Sequence, residues 1–110
     1  GFIKMSYRFM RVMVMFDLPV VSAHDRKEYT KFRKYLLKSG FLMLQESVYC
    51  KLVMNSTMAD SLIENLRKNK PEKGVVQAIK ITEKQYEKME YIIGVNSSEF
   101  LDTDERLVFL

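Results

Sequence analysis

A chain of 110 residues, 47% of them apolar, can bury one modest core and is too apolar to stay disordered, so residues 1–110 read as one domain. No apolar run approaches the roughly 20 residues that cross a bilayer, and Gly1–Lys4 lacks the apolar core of a signal peptide, so the expectation is a cytoplasmic protein with no membrane partner. The formal charge of +4 is unevenly spread: residues 22–40 carry six Lys/Arg against two acids, 67–73 carry four against one, and 83–106 reverse this with seven acids against three bases. Basic middle segments suit an anionic partner on one face.

In chain order, Met5 reads as the natural start and residues 1–4 as a cloning remnant. A strand is expected over about 8–16. Val12 to Phe16 is an unbroken apolar run, the mark of a strand covered on both sides. Pro19 cannot donate to a ladder, so pairing must stop before it. A helix over about 23–38 follows, capped by Ser22 and closed by Ser39-Gly40. Its wheel puts Tyr29, Phe32 and Leu36 on one face and Lys27, Lys31, Lys34 and Lys38 on the opposite one, with Arg26 and Arg33 as a second row. Phe41–Gln45 and Ser47–Met54 read as a tight hairpin. Asn55-Ser56-Thr57 caps a second helix whose apolar stripe is Met58, Leu62, Ile63 and Leu66, and Asn69–Gly74 breaks it. Val75–Ile81 reads as a fourth strand. Thr82-Glu-Lys-Gln85 matches a capping box for a short helix over about 83–90, and Arg106–Leu110 returns to strand character at the end of a tail over 95–110.

The order β-α-β-β-α-β with a tail predicts an α+β, ferredoxin-like sandwich. Two helices cover one face of a four-stranded sheet, and the other face stays open. Met13, Met15, Phe41, Met43, Tyr49, Leu52 and Met54 make both faces apolar, so the open one is expected to be an interface, with Tyr49 hydrogen-bonded there. A two-fold homodimer would apply one patch twice, and the terminal strand could add to a sheet edge on its own subunit or the neighbour.

Asp17 is the candidate reactive group, a lone carboxylate presented at the mouth of a rigid strand. Two readings stay open: a metal ligand that needs a partner group from elsewhere, or a cap for the following turn near Val20. The lysine face, nearly free of acids, leaves two readings open: an ordinary solvated helix face, or a sequence-independent phosphate-backbone contact. Arg26 and Lys27 lead it, because a helix N-terminus itself attracts phosphate. Cys50, the single cysteine, reads as a small buried strand residue. His24 reads as ordinary surface. The third strand lacks the aromatic signature of an RNA-recognition module.

Five pieces together resemble the small CRISPR-associated adaptation protein, the ferredoxin-fold partner of the CRISPR integrase. They are Met15-Phe-Asp-Leu-Pro19, the basic helix ending Lys-Ser-Gly40-Phe, Gln45-Glu-Ser-Val-Tyr49, Thr82-Glu-Lys-Gln85 and Asp104-Glu-Arg-Leu-Val-Phe-Leu110. The form found beside type II-A effector systems is the most similar. The resemblance implies a homodimer that bridges two integrase dimers during spacer acquisition and contacts captured double-stranded DNA fragments at Arg26, Lys27, Lys31, Arg33, Lys34 and Lys38. It also implies a metal-dependent endonuclease reading in which Asp17 binds magnesium or manganese and is catalytic. Two positions depart from the family pattern: Phe16 where many members carry tyrosine, and Met43 where some nuclease-active members carry arginine. Both favour the architectural role over hydrolysis.

Overall fold

The computed structural model describes residues 9–94. The leading residues 1–4 and the expected terminal strand at 106–110 lie outside them. Four strands and three helices follow in the order β1 (Met10–Asp17), α1 (Ala23–Lys38), β2 (Leu42–Gln45), β3 (Val48–Val53), α2 (Ser56–Lys68), β4 (Val75–Thr82) and α3 (Glu83–Glu87). The sheet order is β2-β3-β1-β4, and every neighbouring pair is antiparallel. This is the ferredoxin-like arrangement expected from the chain order. β1 starts two residues later than expected and runs one further, so Asp17 is its last ladder residue, opposite Val75. The proline does end the pairing.

Local signals account for the boundaries. Ser22 accepts from the Asp25 N–H while Asp25 accepts from Ser22, closing a capping box at the start of α1. At its far end Gly40 takes φ +94°. Its N–H donates to Leu37 and the Phe41 N–H to Leu36, the double closure that needs a left-handed residue. The same turn seats Phe41, 1% exposed, against the core beside Leu36. Asn55 caps α2 by accepting from the Met58 N–H. Thr82 and Gln85 form the expected reciprocal box at α3, which spans only Glu83–Glu87.

The core lies between the sheet and α1 with α2. Val12, Val14 and Phe16 of β1 project into it and meet Phe32 and Leu36 of α1, Tyr49 of β3, and Ala59 and Leu66 of α2. Phe16 stacks on Tyr49 at 5.7 Å between ring centroids and meets Phe32 edge-on at 5.3 Å. Two expectations are corrected here. Ala59, fully buried, replaces Met58 as the first core residue of α2, and Met58 is 47% exposed. Positions 59, 62, 63 and 66 keep the helical i, i+3, i+4, i+7 spacing, whereas 58 falls outside it. Tyr49 does not belong to the open face. Tyr49 pairs opposite Val14, so strand alternation sends it toward the helices, and its buried hydroxyl has no hydrogen-bond partner among the described residues.

Candidate functional site: the open sheet face, Asp17 and the basic helix

Alternation decides what the open face carries. Because Val12, Val14 and Phe16 point inward, Arg11, Met13, Met15 and Asp17 point to the other side. Register adds Leu52 opposite Arg11, Cys50 opposite Met13, Leu42 opposite Cys50, and Val75 and Ile79 opposite Asp17 and Met13. Leu42 is 69% exposed, Val75 59%, Ile79 48% and Leu52 45%. An apolar surface of this kind, continuous across strands, is uncommon on a solvated face.

One end of this face is covered. Arg11 reaches across to α3 and forks onto Glu83, with Nε at 2.8 Å and Nη2 at 3.0 Å from the two carboxylate oxygens. Its guanidinium also lies 4.2 Å above the Tyr86 ring, within cation–π range. The hydrogen bond from Arg11 holds the Glu83 carboxyl below its ordinary value, and Glu83 raises the Arg11 value in turn. Cys50 is buried at 2% exposure beside this group. Burial pushes its thiol up, opposed by the neighbouring Arg11, so it is held as a neutral thiol. The sequence reading missed this cluster. An arginine placed inside an otherwise apolar strand was the available signal, but only the fold reveals that position 11 faces position 83.

Asp17 stands at the opposite end of the same face. It is exposed, and its carboxylate has no hydrogen-bond or ion-pair partner among the described residues. The turn beyond it is held differently from the capping alternative: Arg26 Nη1 donates to the carbonyls of Val20, 3.2 Å, and Val21, 2.8 Å. The backbone under Asp17 is tightly enclosed, since a side chain at Gly74, φ +92°, would come within 2.6 Å of the Asp17 carbonyl oxygen. No group of three or more His, Cys, Asp or Glu side chains that could hold a metal occurs among the described residues. One chain therefore offers a single carboxylate to an ion. Phe16, next to Asp17, turns its ring into the core at 6% exposure, so a hydroxyl at that position would point away from the face bearing Asp17.

The six basic residues of α1 are all exposed. Lys27, Lys31, Lys34 and Lys38 form one row spanning about 16 Å at 1.5 Å per residue, without ion-pair partners among the described residues. Arg33 is likewise unpaired, whereas Arg26 already spends one nitrogen on the turn after β1. His24 lies 3.2 Å from Glu72 on the surface. No described helix is long and apolar enough to cross a membrane.

Comparison with known proteins gives these features their context. A family model described as CRISPR associated protein Cas2 matches residues 10–89. A Treponema denticola protein named CRISPR-associated endoribonuclease Cas2 is 57% identical over 101 residues, covering 92% of this chain and all of that protein. Proteins of the same name from Streptococcus mutans, 45% identical over 92% of this chain and 93% of theirs, and from Ligilactobacillus salivarius, 43% identical over 92% of this chain and all of theirs, are also similar. A match that runs from the first residue of β1 through the Arg11–Glu83 cluster to the end of α3 covers the entire sheet, and the chain belongs to the CRISPR associated protein Cas2 family.

Proposed function

We propose that the protein is an architectural homodimer of the CRISPR spacer-acquisition complex, which bridges two integrase dimers and grips the backbone of the captured double-stranded DNA fragment. The observation that carries this reading is the open sheet face. Met13, Met15, Leu42, Leu52 and Ile79 form an apolar surface that a second copy, meeting it across a two-fold axis, would bury. The unpaired lysine row of α1 supports the nucleic-acid part, because a cationic surface without partner acids attracts phosphate in a salt-dependent way.

A second reading, metal-dependent endonuclease activity on RNA or DNA, is favoured by the exposed, unpartnered Asp17 and by the endoribonuclease names of the relatives. One carboxylate fits the way magnesium is often held, by one or two protein carboxylates with water and substrate phosphates completing the shell. Asp17 would hold such an ion, and its copy in a two-fold dimer would supply the second carboxylate. The ion's contribution, when bound, would be activation of water and neutralisation of phosphate charge.

An in vitro spacer-integration assay with the cognate integrase, comparing wild type with Asp17→Ala, separates the two. The architectural reading expects undiminished integration by the variant. Abolished integration with dimerisation and complex assembly intact would overturn it in favour of chemistry at Asp17. Cleavage of short RNA and DNA with Mg²⁺ or Mn²⁺, lost in Asp17→Ala, is the direct check of the nuclease reading.

A further inference from the structure

A cavity of about 160 Å³ opens between α1 and the end of α2, lined by Lys31, Tyr35, Lys68, Asn69, Lys70 and Glu28. This is about ten times the ~10–15 Å³ that one ordered water needs, and large enough for a tetrahedral oxyanion with hydration. Three lysines against one glutamate leave the lining with a net charge of +2. None of the three lysines has an ion-pair partner among the described residues, whereas Arg11, Arg67 and Lys80 are all paired. The end of α2 does not oppose an anion as strongly as bare carbonyls would. The Asn69 N–H donates to the Asn65 and Leu66 carbonyls, and its amide nitrogen donates to Asn65 at 2.8 Å. The buried Phe32 also lines the cavity, with Tyr35 beside it.

We propose that this cavity is a phosphate-binding pocket, with Lys31, Lys68 and Lys70 as the ammonium donors and Glu28 limiting its affinity. Lys31 belongs both to the pocket and to the lysine row of α1, so the pocket extends that row onto the α2–β4 connection, a surface that the helix face alone does not include. The phosphate can come from a polynucleotide backbone, which rests on the nucleic-acid reading proposed above, or from a free phosphate compound, which does not. Lysine suits either source, since it acts as a point charge rather than a geometric fork.

Two titrations of the full chain decide it. In the first, inorganic pyrophosphate is added to isotope-labelled protein and amide resonances are followed; the expected result is saturable shifts centred on Lys31, Asn69 and Lys70, lost in K68Q/K70Q and tightened in E28Q. In the second, duplex DNA affinity is measured against salt concentration. A backbone phosphate in the pocket predicts that K68Q/K70Q lowers the slope of log K against log salt by about 0.9 for each phosphate released, whereas K84Q/K88Q, on α3 and just beyond its end, leaves it unchanged. Localised pyrophosphate shifts with an unchanged DNA slope assign the pocket to free phosphate compounds. Wild type that binds no DNA but shows those shifts rejects the nucleic-acid reading and keeps the pocket. No localised shift together with an unchanged slope overturns the proposal, and circular dichroism of each variant confirms that the fold is retained.

Discussion

Arg11 and Glu83, 72 positions apart in the chain, meet as a two-pronged ion pair on the sheet face that α1 and α2 leave open. The pair fastens α3 over one end of that face and leaves the end bearing Asp17 free. It therefore fixes where the polypeptide leaves the sheet and how much apolar surface stays available to a partner. Both side chains are largely screened from solvent, at 23% and 32% exposure, and the Tyr86 ring adds a second contact to the guanidinium.

Glu83→Gln should reduce stability to chemical denaturation by about 1 kcal/mol, the scale of one well-formed, partly exposed ion pair. The pH dependence has a definite sign. Arg11 lowers the folded-state value of the Glu83 carboxyl, so the contribution is complete above the ordinary glutamate value of 4.5 and is lost as pH falls through the lower folded value. Subtracting the E83Q stability profile from that of wild type between pH 7 and pH 3 should reveal this loss. A difference independent of pH would remove the ion pair as its cause.

Gly74 and Gly40 both adopt positive φ, yet they should respond differently to alanine. At Gly74 the new methyl would meet the Asp17 carbonyl at 2.6 Å and Leu18 Cδ2 at 2.8 Å, whereas at Gly40 the nearest atoms belong to the flexible Lys51 side chain at 3.2 Å. Gly40→Ala should cost about 1 kcal/mol from the left-handed backbone alone. Gly74→Ala should cost roughly 2 kcal/mol or more, because the backbone must also shift. Urea denaturation gives the ranking, and equal costs would show that the Asp17 backbone yields freely.

Tyr49→Phe should leave stability unchanged within about 0.5 kcal/mol or increase it, because it removes a buried hydroxyl that has no described partner. Tyr49→Ala, by contrast, should cost about 3–5 kcal/mol through the cavity left beside Phe16. A substantial loss in the phenylalanine variant would reveal a hydrogen bond to a residue beyond 9–94 or to water.

Met15→Glu should convert the proposed dimer to monomer without unfolding it. Met15 lies on the open face, and a charge buried there without a partner would cost several kcal/mol of association. Sedimentation equilibrium reads the result directly. A variant that still dimerises with wild-type affinity would place the interface elsewhere.

The order of elements was legible because each boundary carries its own local chemistry. Ser22, Asn55 and Thr82 start helices, Gly40 ends one, and Pro19 ends a strand, so hydrogen bonds within a few residues set those limits. The lysine row on α1 follows equally from helical period alone. Which apolar residues face the helices and which face outward was not legible for the second and third strands. Their shortness and the irregular register between Met43 and Gln45 leave period-2 counting without an anchor, and only the pairing of Tyr49 opposite Val14 assigns it to the core. The Arg11–Glu83 cluster and the pocket joining Lys31 to Lys68 and Lys70 depend on contacts between distant segments, which no local pattern encodes. Caps, breakers and residue periods therefore specify the elements, the basic helix and the place of Asp17 at a strand end. What lies beside each of them is set by the folded chain, because antiparallel pairing and helix packing bring together residues that share no local hydrogen bond.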